Sequence, residues 1–477
     1  MGVKQENVKW LDHIDASSQG LRGIASVLVV ITHINRAFNE QLFLPTTEEG
    51  AAPQFLQYPI VRVFVQGRTT IPIFSLVTGY VCALKPIRQF LAGDQDKALT
   101  GITKSAFRRI PRLVLPSWLA TIIIWTFTEL GGFLLTKHVS SFWLIYTSPN
   151  QLPIGTAIMK LLRTMGSTFT TGVNDYDGHQ WTLLPLLKGA YLVFSMLYAT
   201  AYMKSRYRMM AELAMVGYFW AANDRKPAIK ASALYTDLSP ATFGVLFSFG
   251  AFLAEISQTP THVEWLSTHK WPGRFLSPFL LILGLLSASF PEDHAEWVLW
   301  SNFMLKLSDY MLLPENGNVP TFYSGLGVIL IASSIHFSKP LKTVLSLKYF
   351  LWAGKNSFAV YLIHGTLIRS VLSWMMFGVI NPTSTFNEDG TETMGPNLER
   401  PHNLRWYLWL PIWFAGLYWL ANLWTNYVDP ACAKITAALE RKMFEQDDGM
   451  NIPLSSIPVS RVPDPVAPLS SEPLLPQ

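Results

Sequence analysis

The sequence predicts an all-α, polytopic transmembrane helix bundle of about ten spans, with both termini in the cytoplasm. Three observations predict it. Half of the 477 residues are hydrophobic and only 14% are charged, where a soluble domain carries about 25%. The apolar residues fall in long blocks almost free of charge, as expected of segments that must satisfy their backbone hydrogen bonds within lipid. Between the blocks Lys and Arg alternate in density, 23 on one side against 11 on the other, and the richer side is the cytoplasmic one. This pattern excludes a disordered chain and a soluble multidomain enzyme. The net charge of +5 is no nucleic-acid signal, because the cations lie between blocks and not on one face.

The blocks lie near 21–38, 69–84, 113–135, 183–202, 209–222, 239–256, 276–290, 321–338, 350–377 and 406–428. The fifth is short, and the ninth is long enough to tilt or break. Residues 1–20 form a polar cytoplasmic segment without the apolar core of a signal peptide, so the first span is expected to be a permanent anchor. The transmembrane domain is expected over 21–442. Residues 443–477, rich in Pro and Ser, read as a disordered cytoplasmic tail. The two cysteines, Cys82 and Cys432, cannot build a disulfide framework and are expected to be inert.

Ionisable residues inside such blocks cost several kcal/mol unless they face the bundle interior, so each is a functional candidate. In the first block, Arg22 and His33 are eleven residues apart, which places them on one helix face about 16 Å apart along the axis. In the ninth, Ser357, Tyr361 and His364 follow i, i+4, i+7, again one face. The bland reading of His33 is a side chain that snorkels to the far interface or bonds a neighbouring helix, against which the aligned Arg22 and the small residues around it favour function. The bland reading of the ninth block is an interhelical hydrogen-bond ladder. Arg108, Arg109 and Arg112 cluster before the third span. Arginine forks suit phosphate oxygens, although a positive-inside signal looks the same. Asp175, Asp177, His179 and Trp181 precede the fourth span at a spacing that matches no strong metal-ligand pattern. They read as a solvated loop with an interfacial Trp, and no metal is expected. Lys188, just inside the fourth span, calls for a partner or a wet cavity, and Glu255 reads as interfacial.

Taken together, these blocks resemble the integral-membrane acyltransferase 3 family, its fungal branch in particular. LRGIASVLVVITHI resembles the family's Arg, ten residues, His motif, at Arg22 and His33. FSLVTGYVCAL resembles its second-span phrase, and FRRIPRLVLP its basic approach to the third span, at Arg109 and Arg112. GHQWTLLPLLKGAYLVF is similar to the fungal Trp-Thr stretch, and GKNSFAVYLIHG to the late Ser-x-x-x-Tyr-Leu-x-His stretch, at Ser357, Tyr361 and His364. NLWTNYVDPACAKITAALE also resembles fungal members, so the likeness covers about 11–442. There is one departure. Fungal members usually carry a Glu shortly after Trp-Thr, where this chain has Leu184-Pro185-Leu186-Leu187.

The resemblance implies transfer of an acyl group, commonly acetyl, from acyl-CoA as co-substrate to a hydroxyl, with no bound cofactor. The expected partners are acyl-CoA, a small hydrophobic alcohol of terpenoid or polyketide type and the bilayer of an endoplasmic-reticulum-type membrane. A neutral imidazole is suited to take the proton of an alcohol near pH 7. His33 is therefore the expected general base, with Arg22 orienting it or binding anionic parts of the donor. Arg108, Arg109 and Arg112 would hold CoA phosphates. His364, Tyr361, Ser357 and Trp181 are the secondary site residues, with His364 and Tyr361 expected to contact acceptor or thioester oxygens. The alternative is a secondary transporter that uses intramembrane His and Arg for proton or anion coupling.

Overall fold

The computed structural model describes residues 2–222, 240–311, 318–378, 385–386, 392–393, 398 and 403–444. Each of the ten apolar blocks coincides with a helix, because a helix satisfies every internal backbone group without water. These helices are α1 (Gly2–Phe38), α2 (Thr70–Leu91), α3 (Gln95–Glu129), α4 (Leu183–Ala199), α5 (Ser205–Ala221), α6 (Pro240–Gln258), α7 (Ser277–Ala288), α8 (Val319–Phe337), α9 (Lys348–Leu367) and α10 (Asn403–Leu423), followed by α11 (Asp429–Phe444). An amphipathic helix, Ile154–Thr170, lies between α3 and α4. The strands Thr385–Phe386 and Glu392–Thr393 pair antiparallel.

Six helical stretches among the described residues are long and apolar enough to cross a membrane: Ala16–Phe38, Thr70–Leu91, Gln95–Glu129, Gly178–Ala199, Val319–Phe337 and Lys348–Phe377. Pro260–Thr268 with Pro272–Ala288 would make a seventh, bent by 79°. The protein is therefore a multi-pass membrane bundle.

Several expectations change. The third block was expected at 113–135, but α3 starts at Gln95 and stops at Glu129, so the arginine cluster sits on the helix itself. The 350–377 block does not break. It continues from α9 through a π-helical turn, Ile368–Leu372, into Ser373–Phe377. Lys188 is on the exposed side of α4 and faces no internal cavity. Glu255 does not lie exposed at the end of its span. It is fully buried and accepts from Arg208 Nε at 2.9 Å and Nη2 at 2.7 Å, which joins α5 to α6. The expected tail lies outside the described residues from 445 onward.

Helix α1 packs along α9 at very close range. A Cβ on Gly23 would lie 2.3 Å from the Phe350 carbonyl oxygen, so only glycine permits this approach. The two helices run parallel, because Arg22 meets Ser357 and His33 meets His364. Helices α7 and α8 are antiparallel, joined at Ser277 and Ser334 by a hydroxyl pair 3.0 Å apart. The main core gathers Ile73, Leu76 and Val77 of α2 with Val193 of α4 and Leu246 and Phe247 of α6. A second core, around Val30, Val360, Leu372 and Trp413, surrounds the α1–α9 contact.

Candidate active site

Helical periodicity puts Arg22 and His33 on the face of α1 that meets α9. Arg22 Nη2 donates to Ser357 Oγ at 3.1 Å. One turn-set further on, His33 Nδ1 lies 3.0 Å from His364 Nε2. The protonation pattern follows from the partners. His364 Nδ1 faces only acceptors, the carbonyls of Val360 at 3.0 Å and Tyr361 at 2.9 Å, so it carries the proton. A neutral His364 then offers a lone pair at Nε2, and His33 Nδ1–H donates to it. That leaves the lone pair of His33 on Nε2, the form of imidazole that can accept a proton from an alcohol.

The structure brings in a third histidine. His179 is almost fully buried, with its ring edge-on to His33 at 4.1 Å between centroids and 5.0 Å from His364. Its Nδ1–H donates to Asp177 Oδ1 at 2.6 Å. Asp177 is completely buried and also accepts from Arg369 Nη2 at 3.2 Å. Arg369 lies in the π-helical turn after α9, a local widening frequent at functional sites. Its Nε donates to the Gly365 carbonyl and its Nη1 to those of Thr147 and Tyr176. The His179 ring fits because Gly365 has no side chain: a Cβ there would lie 2.4 Å from Nδ1. The expectation of a solvated loop holds for Asp175, which is exposed, and fails for Asp177 and His179. Their burial arises from packing between remote segments, which local polarity does not reveal. Burial pushes the Asp177 carboxyl up, against the opposing pull of Arg369.

A cavity of about 500 Å³, within the range of about 300–1,000 Å³ common for small-molecule sites, runs beside this cluster. Its mouth is lined by exposed Lys85, Ser105, Arg108 and Arg112, with Arg109 further in. Arg22 and Ser357 line its interior. Val29, Thr182 and Tyr361 also line it, and each stands about one helical turn from His33, His179 and His364 respectively. The histidines themselves lie behind that layer. Thr182 Oγ and the Tyr361 hydroxyl, 2.7 Å apart, close it, and Tyr361 donates to the His179 carbonyl. Leu186, in the stretch where fungal members were expected to carry a Glu, is part of the apolar wall.

The remaining candidates divide. Arg108 lines the mouth but is engaged by Glu440, at 2.5 and 2.7 Å, while Arg109 and Arg22 feel each other's charge. Trp181 packs toward Phe243, 6.3 Å between ring centres, on the main core. His364 and Tyr361 commit their polar atoms to protein partners, which makes them positioning groups in this geometry.

A profile described as an acyltransferase domain matches residues 9–428. The chain belongs to the acyltransferase 3 family. It is similar to the O-acetyltransferase PaAT-1 of Phomopsis amygdali, with 23% identity over 402 residues covering 76% of this chain and 73% of that protein. No solved structure matches the chain. Family membership and the apolar helices together make this acyltransferase 3 protein a multi-pass integral membrane acyltransferase. Both of its long-spaced motif pairs, Arg22 with His33 and Ser357 with His364, meet across the α1–α9 contact.

Proposed function

We propose that the protein moves an acyl group, most simply acetyl, from acyl-CoA to a hydroxyl of a small hydrophobic metabolite of terpenoid or polyketide type, in an endoplasmic-reticulum-type membrane. The observation that carries this reading is the cavity. It leads from four exposed or half-exposed cations, Lys85, Arg108, Arg109 and Arg112, past Arg22 to a floor directly in front of three histidines. Phosphates at the mouth match the guanidinium forks, and an extended thioester arm matches a long, mostly apolar passage. The similarity to a fungal O-acetyltransferase supports acetyl as the group and an alcohol as the acceptor.

In this mechanism His33 Nε2 takes the proton of the acceptor hydroxyl as its oxygen attacks the thioester carbonyl. The new C–O bond forms, the C–S bond breaks, and the proton on His33 passes to the departing CoA sulfur. His364 holds His33 in the required tautomer through the hydrogen bond at Nδ1. Asp177, two residues before His179 and hydrogen-bonded to it, supplies negative charge when His33 becomes cationic. The Thr182–Tyr361 pair must part for the thioester to reach His33.

Membranes carrying the protein, given radiolabelled acetyl-CoA and a panel of terpenoid and polyketide alcohols, are expected to form labelled ester. His33→Ala should lower the rate by about 10²–10⁴-fold, the usual contribution of a general base, at unchanged expression. Full turnover by that variant would remove His33 from the mechanism. Substrate movement without CoA dependence would favour transport instead.

A further inference from the structure

We propose that His33, His179 and His364 also form a binding site for a divalent transition-metal ion of the zinc or cobalt type. Three observations carry this. One ring nitrogen of each histidine lies within 4.8 Å of those of the other two, a spacing that a small ion can draw into three bonds of about 2.0–2.1 Å. Two of the rings are already oriented as ligands. His179 gives its Nδ1 proton to Asp177 and His364 gives its own to backbone carbonyls, so each offers Nε2, and a carboxylate or carbonyl behind a histidine is the usual outer support of a metal site. The third observation is that His179 Nε2 is buried with no hydrogen-bond partner. It is a desolvated lone pair with nothing to receive it.

Neutral imidazoles select zinc, cobalt, nickel or copper over magnesium and calcium, which prefer oxygen. Three histidines leave a fourth tetrahedral position for water. His33 would bind through Nδ1, the atom now 3.0 Å from His364. Its proton would then move to Nε2, and the imidazole would no longer accept one. On the proposed acyl-transfer reading, the ion therefore competes with catalysis, but the site itself does not depend on that reading.

The test uses the full-length protein, purified in detergent with a tag free of histidine, stripped with chelator and loaded with Co²⁺. The expected result is one cobalt per chain by elemental analysis, with the intense visible bands of four-coordinate Co²⁺. His179→Ala should lose both signals. Asp177→Asn, which keeps all three ligands, should weaken binding by about 10–100-fold and serves if His179→Ala fails to fold. Absence of stoichiometric cobalt in the wild type, or cobalt binding unchanged in both variants, would overturn the proposal. Neither readout requires acyl transfer, so failure of the metal site is separable from failure of the proposed activity.

Discussion

At the scale of single residues, the site depends on which atom holds which proton. Replacing His364 by Ala removes the acceptor that fixes His33, so turnover should fall while KM for acyl-CoA changes little. Replacing Arg109 or Arg112 by Ala should raise that KM several-fold with a smaller effect on kcat, as steady-state assays with varied acetyl-CoA would read. Away from the site, Glu292 bridges Arg36 at 2.5 Å and Arg68 at 2.9 Å. Burial would raise its carboxyl, but the charges of Arg68 and Arg36 outweigh that and hold it down at about 2. A depressed acid stabilises the fold above the ordinary carboxylate range and loses that contribution as pH falls toward about 2. Glu292→Gln should therefore cost about 3 kcal/mol at pH 7. The gap in thermal unfolding between variant and wild type should narrow from pH 5 to pH 3; a gap independent of pH would refute the ion-pair account. Arg22, His33, Ser357, Tyr361 and His364 were legible as candidates because each pair or trio lies on one helix, where spacing alone defines a face. Asp177 and His179 were not, since nothing in a polar stretch announces that remote segments will bury it. Arg369 and Arg208 were within reach, as ionisable residues in or beside apolar blocks, the same criterion that singled out Arg22.

At the scale of elements, the α1–α9 pair organises the site. Its close approach rests on Gly23, where even a methyl group meets backbone. Gly23→Val should part the two helices, and size-exclusion chromatography in detergent should show loss of a monodisperse species, whereas substitution at Gly217, which has open space around it, should leave the profile intact. The Arg208–Glu255 link between α5 and α6 is buried on both sides, 2% and 0% exposed. Removing one partner of such a pair costs about 3–5 kcal/mol, so Arg208→Ala should lower stability more than Arg108→Ala, whose ion pair is solvated. A helix at each of the ten blocks was legible because apolar runs of this kind favour helices, and six of the helical stretches among the described residues are long and apolar enough to cross a membrane. Their ends were less so. The third helix reaches back to Gln95 through Pro111, a stretch that the block read at 113–135 leaves outside it.

At the scale of the whole molecule, the parallel run of α1 and α9 and the antiparallel run of α7 and α8 are the directions that an alternating ten-span path requires. With the basic flanks in the cytoplasm, the cavity mouth at Lys85, Ser105, Arg108 and Arg112 would face that compartment. Ser105→Cys, in a background without Cys82 and Cys432, should react with an impermeant maleimide from the cytoplasmic side only, and CoA should slow the reaction. Labelling from the opposite side alone would reverse the topology. The α1–α9 contact has a further consequence, for how the enzyme is made. His33 and His364 are 331 residues apart, so at roughly 5–20 residues per second the ribosome needs between about 15 s and about a minute to deliver the second after the first. Throughout that interval the first helix waits in the membrane with its Arg and His unpartnered. On the proposed mechanism, a nascent or truncated chain therefore lacks the His364 contact that sets the tautomer of His33 until its ninth helix arrives.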